Sequence, residues 1–204
     1  LKTLDSNRWQ ALWEQLGALP PIGSFEQLVA AYSEAQRHYH GATHIFACLE
    51  HLDRYQALCA QPALAELALW THDLIYDTRR QDNEAASAAL TADWLRKAGI
   101  AQHIPAVSEM ILATTHLAPA TGDAALVVDI DLSILATPPE LYDAYCAAVR
   151  KEFAWVPEPL FLQGRARLLR SLLEMPRLYQ CAALGADWEV PARANLAREL
   201  ARLG

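Results

Sequence analysis

Apolar positions recur along most of the chain at the three- and four-residue spacing of a helix, and the breaks between these stretches fall at Pro and Gly. Asp5 and Ser6 can cap a first helix running to about residue 16, closed by Gly17 and the Pro20-Pro21 pair. Ser24 with Gln27 makes a capping-box pattern, which predicts a helix over about 24–36. A polar connector, 37–42, leads into a helix over about 43–60, and Pro62 suits the first turn of the next, ending near His72. After a loop at 74–82, Asp82 or Asn83 caps a helix to Lys97, with Gly99 as its stop. Pro105 opens a helix to about His116, and 119–122 reads as a turn. Residues 127–132 alternate as a short strand would, but no partner strand appears elsewhere, so they read as helix. Pro138-Pro139, Pro157, Pro159, Pro176 and Pro191 each punctuate a further helix. The expectation is an all-α, single compact multi-helix bundle over 1–204, with a core at about 25–175 and C-terminal helices, 176–204, packed on it.

Composition agrees with a globular helical chain. It has 204 residues, 53% hydrophobic and 20% charged, enough for one domain with a real core. The formal net charge of −7 argues against a sequence-reading nucleic-acid module, which usually carries a basic excess. A small anionic ligand remains compatible, provided a local cation offsets the protein's own field. Cys48, Cys59, Cys146 and Cys181 contain no CxxC pair and read as reduced thiols, which points to the cytoplasm. No apolar run reaches the length of a membrane span, and residues 1–8 lack the apolar stretch of a signal peptide.

The histidines carry the chemistry. Four of seven, His38, His40, His44 and His51, fall in a window of 14 residues. His72 follows 28 residues after His44, with Asp73 directly behind it, and later come His116 and the pair Asp129 and Asp131. Imidazoles with carboxylates are the donor set of a borderline divalent cation. Asp129 and Asp131, two residues apart on a helix, point about 200° from each other, so only one easily faces a given ion.

The ordered set His44, His72-Asp73, Asp129/Asp131 resembles the H…HD…D pattern of the HD superfamily of metal-dependent phosphohydrolases. The closer likeness is to a bacterial branch of predicted HD phosphohydrolases. It is carried by Arg37-His-Tyr-His40 with His44, by Trp70-Thr-His-Asp-Leu-Ile-Tyr-Asp77, by Asp82-Asn-Glu84 with Ser87, by Thr114-Thr-His116 and by residues 129–135. The resemblance implies a bundle of helices with His44, His72, Asp73 and one of Asp129 and Asp131 as metal ligands, Asp129 slightly preferred. His40 is then a further ligand or the support of one. Asp77 and Glu84 become candidates for proton transfer, the plain alternative for Glu84 being stabilisation of its own helix. His116 becomes a ligand of a second metal or a substrate contact. Arg37 becomes a phosphate holder, or a salt bridge to a site carboxylate. Arg79 and Arg80, just after the HD pair, become candidate substrate cations, with Arg150, Lys151 and Arg165 further along. Tyr39 and Tyr76 read as packing, Asn83 and Ser87 as caps, and His38, His51 and His103 as outside the site.

The implied activity is hydrolysis of a small phosphate ester, a phosphomonoester or nucleotide, by water activated at one or two divalent ions. With nitrogen donors present, manganese, iron, cobalt or nickel is favoured over magnesium. Two rivals share the scaffold: a di-iron oxygenase, and a nucleotide-binding signalling module without turnover.

Overall fold

The computed structural model describes residues 4–203; residues 1–3 and 204, the ends of the expected 1–204 domain, lie outside them. Among the described residues there are ten α-helices and no strand, and the all-α expectation holds. Two helices are buried almost all round. In α4 (Pro62–Thr71), Leu64, Ala65 and every residue from Leu67 to Thr71 are buried; in α7 (Gly122–Asp131), every residue from Ala124 to Ile130 is. A helix without a polar face belongs at the centre of its bundle. Around this pair lie α1 (Ser6–Gln15), α2 (Ser24–Tyr32), α3 (Ala42–Tyr55), α5 (Asn83–Lys97) and α6 (Ile104–Ala113). Trp9 of α1 anchors them, meeting Trp13, Trp70 and Trp94 edge-on at 5.6, 5.5 and 5.9 Å between ring centroids.

A second apolar cluster joins the 3₁₀ turn Leu132–Ala136 to α8 (Pro139–Glu152), α9 (Glu158–Glu174) and α10 (Ala182–Leu203) through Leu135, Tyr142, Leu169 and Leu196. Trp188 of α10 packs against both clusters. Asn195 ties α10 to the turn by donating to the carbonyls of Leu135 and Thr137 at 2.9 and 2.8 Å.

Local details depart from the sequence expectation for physical reasons. Ser24 does not cap α2. The chain enters that helix through Gly23 in the left-handed region, φ 79°, and Ser24 Oγ accepts instead from the buried indole of Trp9 at 3.2 Å. The helix stops at Tyr32, four residues early, where the tyrosine hydroxyl donates to Trp70 O at 2.9 Å and the chain turns back. The helix expected to reach His116 stops at Ala113. Thr114 and Thr115 turn their hydroxyls onto the carbonyls of Ile111 and Leu112, an alternative to continuing the helix. Pro191 ends nothing and sits inside α10. Interior proline costs a helix about 3 kcal/mol, and here both halves are pinned by burial, Leu184 before it and Ala192, Asn195 and Leu196 after it.

Candidate metal centre

The two central helices end at the same place. His72 is the C-cap of α4 and Asp131 the last residue of α7. A helix C-terminus carries unpaired carbonyls and partial negative charge, so two of them converging favour a cation. His44 reaches the same point from α3, on the buried stripe it shares with Ile45, Cys48, Leu49 and Leu52.

The donor atoms converge closely. His44 Nε2 lies 3.1 Å from Asp131 Oδ1 and 3.2 Å from His72 Nε2, and His72 Nε2 lies 3.4 Å from Asp131 Oδ1. Asp73 Oδ2 is 3.2 Å from His72 Nε2 and 3.6 Å from His44 Nε2. Donors bound 2.0–2.2 Å from one ion at roughly 90–110° would stand about 3.0–3.5 Å apart. His44, His72 and Asp131 thus form a group that can hold a metal ion.

Hydrogen bonding supports the fit. His72 Nδ1 is 3.1 Å from Leu69 O, so this nitrogen carries the proton and Nε2 presents a lone pair to the cluster. Asp73 Oδ2 is buried there with no hydrogen-bond donor. Lone pairs facing one another at these distances need a cation or a proton between them. The electrostatics say the same. Burial by itself would lower the His72 imidazole, but the charges of Asp73 and Asp131 outweigh it and hold it well above its usual range. Burial would raise Asp131, but His72, His116 and His44 depress it far below an ordinary carboxyl. The pocket attracts positive charge.

Asp129 corrects the preference drawn from the sequence. It is buried on the other side of α7, where its two oxygens accept from the amides of Gln180 and Cys181 at 2.8 and 2.6 Å, fastening the start of α10. It is a structural carboxylate, and Asp131 faces the histidines.

His116 does join the cluster. Among the described residues it is the one non-glycine with positive φ, 56°, and this backbone turns Nε2 to within 3.1 Å of Asp131 Oδ2. Its Nδ1 is buried without a partner. Asp131 therefore faces two ways, one oxygen to His44 and His72 and the other to His116.

His40 stands beside the cluster with a partner the sequence did not disclose. Glu152, the last residue of α8, accepts from the amides of Tyr39 and His40 at 2.7 and 3.0 Å, from the Tyr76 hydroxyl at 2.8 Å, and sits 2.7 Å from His40 Nδ1. Burial works against its charge, but these bonds, His40 foremost, bring Glu152 down to about 2. Burial lowers His40, but the Glu152 bond and the charges of Asp73, Glu152 and Asp131 raise it overall. One signal for Glu152 was present: an acid at a helix C-terminus opposes the dipole, and such a residue needs a compensating partner elsewhere.

Arg37 is not a free phosphate holder. Its guanidinium donates to the carbonyls of Asp73 at 2.5 Å, Leu74 at 3.0 Å and His40 at 3.3 Å, and to Glu34 at 2.9 Å. It clamps the backbone of the HD turn. Gly41 permits the tight return of this segment into α3, since a Cβ there would stand 3.1 Å from Tyr32 O.

Two cavities flank this wall. One, about 480 Å³, is lined by Asp131, His116, His40, Tyr39, Tyr145 and Arg165, with apolar residues beyond. The other, about 520 Å³, holds Arg79, Arg80 and Asp77 and shares Glu152 and Tyr76 with the wall. Those three residues open on this second cavity and not on the one that Asp131 lines. Asp77 accepts from the Arg79 amide at 2.9 Å and is tied to Asn83 in a loop-closing pair; Arg79 lies over the Trp155 ring; Arg80 pairs with Asp82 at 2.9 Å. Glu84 occupies the first turn of α5 and lines neither cavity. Ser87, expected as a cap, donates to and accepts from the backbone of Ile75. His51 packs on Trp188.

Compared with family models, curated proteins and solved structures, the chain matches none. No helix of the described residues is long and apolar enough to cross a membrane.

Proposed function

We propose that this protein is a metal-dependent phosphohydrolase of the HD type, acting on a small phosphate ester. The observation that carries the reading is the convergence of His44, His72 and Asp131, with Asp73 beside them, where Asp131 also lines a cavity that has Arg165 in its wall. A divalent ion held there acidifies water and withdraws charge from a phosphoryl oxygen. The order H…HD…D along the chain supports the same class.

The chain's own residues supply the rest. Arg165, buried and gripped by Glu199 at 2.8 and 3.0 Å, presents a fixed positive charge to an arriving phosphate. His40, held at Nδ1 by Glu152, keeps Nε2 as its free ring nitrogen. Its raised basicity suits it to carry a proton and to release it to the departing oxygen. His116, with Nδ1 unpartnered, is placed to bind the phosphate or a second ion.

Metal analysis of the purified protein, with phosphate release from a panel of monoesters, tests the reading. Stoichiometric divalent metal and release that chelation abolishes are expected; a metal-loaded protein that cleaves no ester would overturn it.

A second reading is favoured by the two-way orientation of Asp131 toward His44/His72 and His116. His44, His72, Asp131 and His116 would then hold two ions, and with iron they would supply oxygenase chemistry. Two irons per chain with substrate-dependent oxygen uptake would select it.

A further inference from the structure

The cavity above Asp131 changes character away from the donor cluster. Its deeper wall is Leu132, Leu135, Leu172, Met175 and Leu196, and at its rim stand Leu117 and Leu168, 89% and 47% exposed. Of its lining hydroxyls, those of Tyr39 and Tyr145 belong to the charged head, Tyr39 against His40 and Tyr145 beside Arg165, and the two along the body are spent within the protein. Thr115 and Ser171 each donate to a carbonyl of their own segment at 2.8 Å, and the Tyr145 hydroxyl accepts from Arg165 at 3.4 Å. Reading a nucleobase requires donors and acceptors set against its edge, and sugars need a comparable array. This wall offers hydrocarbon in their place, and leucines left exposed at a cavity mouth mark a surface that receives an apolar ligand.

From this juxtaposition of a charged head and an apolar body we infer that the substrate is the phosphate monoester of a hydrocarbon alcohol, its alkyl chain along Leu135, Leu172 and Leu196 and its phosphate between Asp131, His116 and Arg165. This rests on the phosphohydrolase reading and narrows it away from nucleotides. In the reaction, water adds to phosphorus as the bond from phosphorus to the alkyl oxygen breaks. Water gives up a proton, the departing oxygen takes one up, and the products are the alcohol and inorganic phosphate.

The test uses the whole chain loaded with Mn²⁺ and straight-chain alkyl phosphates of two to ten carbons beside adenosine monophosphate. The expected kcat/KM rises about fourfold per methylene until the cavity is filled, and octyl phosphate exceeds the nucleotide. Leu168→Glu should lower kcat/KM for octyl phosphate at least tenfold more than for ethyl phosphate. Calorimetry with alkylphosphonates, which cannot be hydrolysed, supplies a readout independent of turnover: affinity should grow, and the heat-capacity change become more negative, with chain length. Hydrolysis without dependence on chain length, or with the nucleotide preferred, overturns this inference and leaves the hydrolase standing. Chain-length-dependent binding without hydrolysis of any ester overturns the hydrolase and supports the apolar ligand. Binding indifferent to chain length overturns the assignment of the cavity.

Discussion

Asp129 and Asp131 stand two residues apart on α7 and serve opposite ends of the molecule's organisation: Asp131 Oδ1 lies 3.1 Å from His44 Nε2, while Asp129 Oδ2 accepts from the Cys181 amide at 2.6 Å. Asp131→Asn should cut bound divalent metal at least tenfold and also lower the melting temperature of the metal-free protein at neutral pH, because the charge it removes is one that His72, His116 and His44 stabilise in the folded chain. Asp129→Asn should keep metal and lose stability, by about 1–3 kcal/mol, since a neutral amide accepts the two backbone bonds less strongly and turns a donor toward one of them. Metal content and thermal melts of both variants decide it; equal metal loss in the two would contradict the assignment.

Arg37 should behave as a structural residue. Losing its bonds to the Asp73, Leu74 and His40 carbonyls leaves buried acceptors unpaired, and Arg37→Ala should cost about 2–4 kcal/mol. Arg37→Lys should cost nearly as much, because an ammonium cannot reproduce the planar fork. A phosphate-binding arginine would predict the reverse: Lys restoring KM with little change in denaturation midpoint.

The pairing of His40 with Glu152 has a pH signature. The His40 pKa is raised in the folded chain, so its contribution to stability is complete below its unfolded value, near 6.5, and is lost as pH rises through the folded value. Glu152 is depressed to about 2, so its contribution is complete above about 4.5 and lost as pH falls toward 2. Their joint support is greatest between about pH 4.5 and 6.5. Glu152→Gln should lower the His40 titration midpoint, as followed by proton NMR, and shift the acid-form limb of any pH–rate profile downward. An unmoved midpoint would show that Glu152 does not hold His40.

Arg79→Ala/Arg80→Ala should leave metal content and KM unchanged at low and high salt, since both side chains open on the cavity beyond Glu152 and Tyr76. Arg165→Met should raise KM for a phosphate ester by roughly tenfold or more, with accompanying destabilisation from the unpaired Glu199. Kinetics on the two variants side by side separate the cations; a salt-dependent KM defect in the first would restore the loop arginines.

The helices were readable because Pro, Gly and periodic apolar residues mark them locally. The choice between Asp129 and Asp131 was not, for a definite reason: α7 is buried from Ala124 through Ile130, so no polar face records how the helix is rotated. His44 and His72-Asp73 were legible as an ordered set, and the structure brings them together. Glu152 was hidden because its partners Tyr76, His40 and Tyr39 lie 76, 112 and 113 residues away in sequence. Arg37 was misread because an arginine's employment by backbone carbonyls leaves no mark in residue type. Pro191 was misread because tertiary burial on both sides overrides a local breaker.

If an ion occupies the pocket where α4 and α7 meet, the protein's persistence becomes tied to its ion supply. His44, His72, Asp73, His116 and Asp131 come from separate stretches of chain, so an unfolded chain cannot present them together. Any cation bound there then stabilises the fold by mass action, about 1.4 kcal/mol for each tenfold excess over its dissociation constant. Starved of that ion, the molecule would have only protons on its histidines to offset the carboxylates at the heart of its bundle. Its susceptibility to proteases would then report the free metal concentration around it.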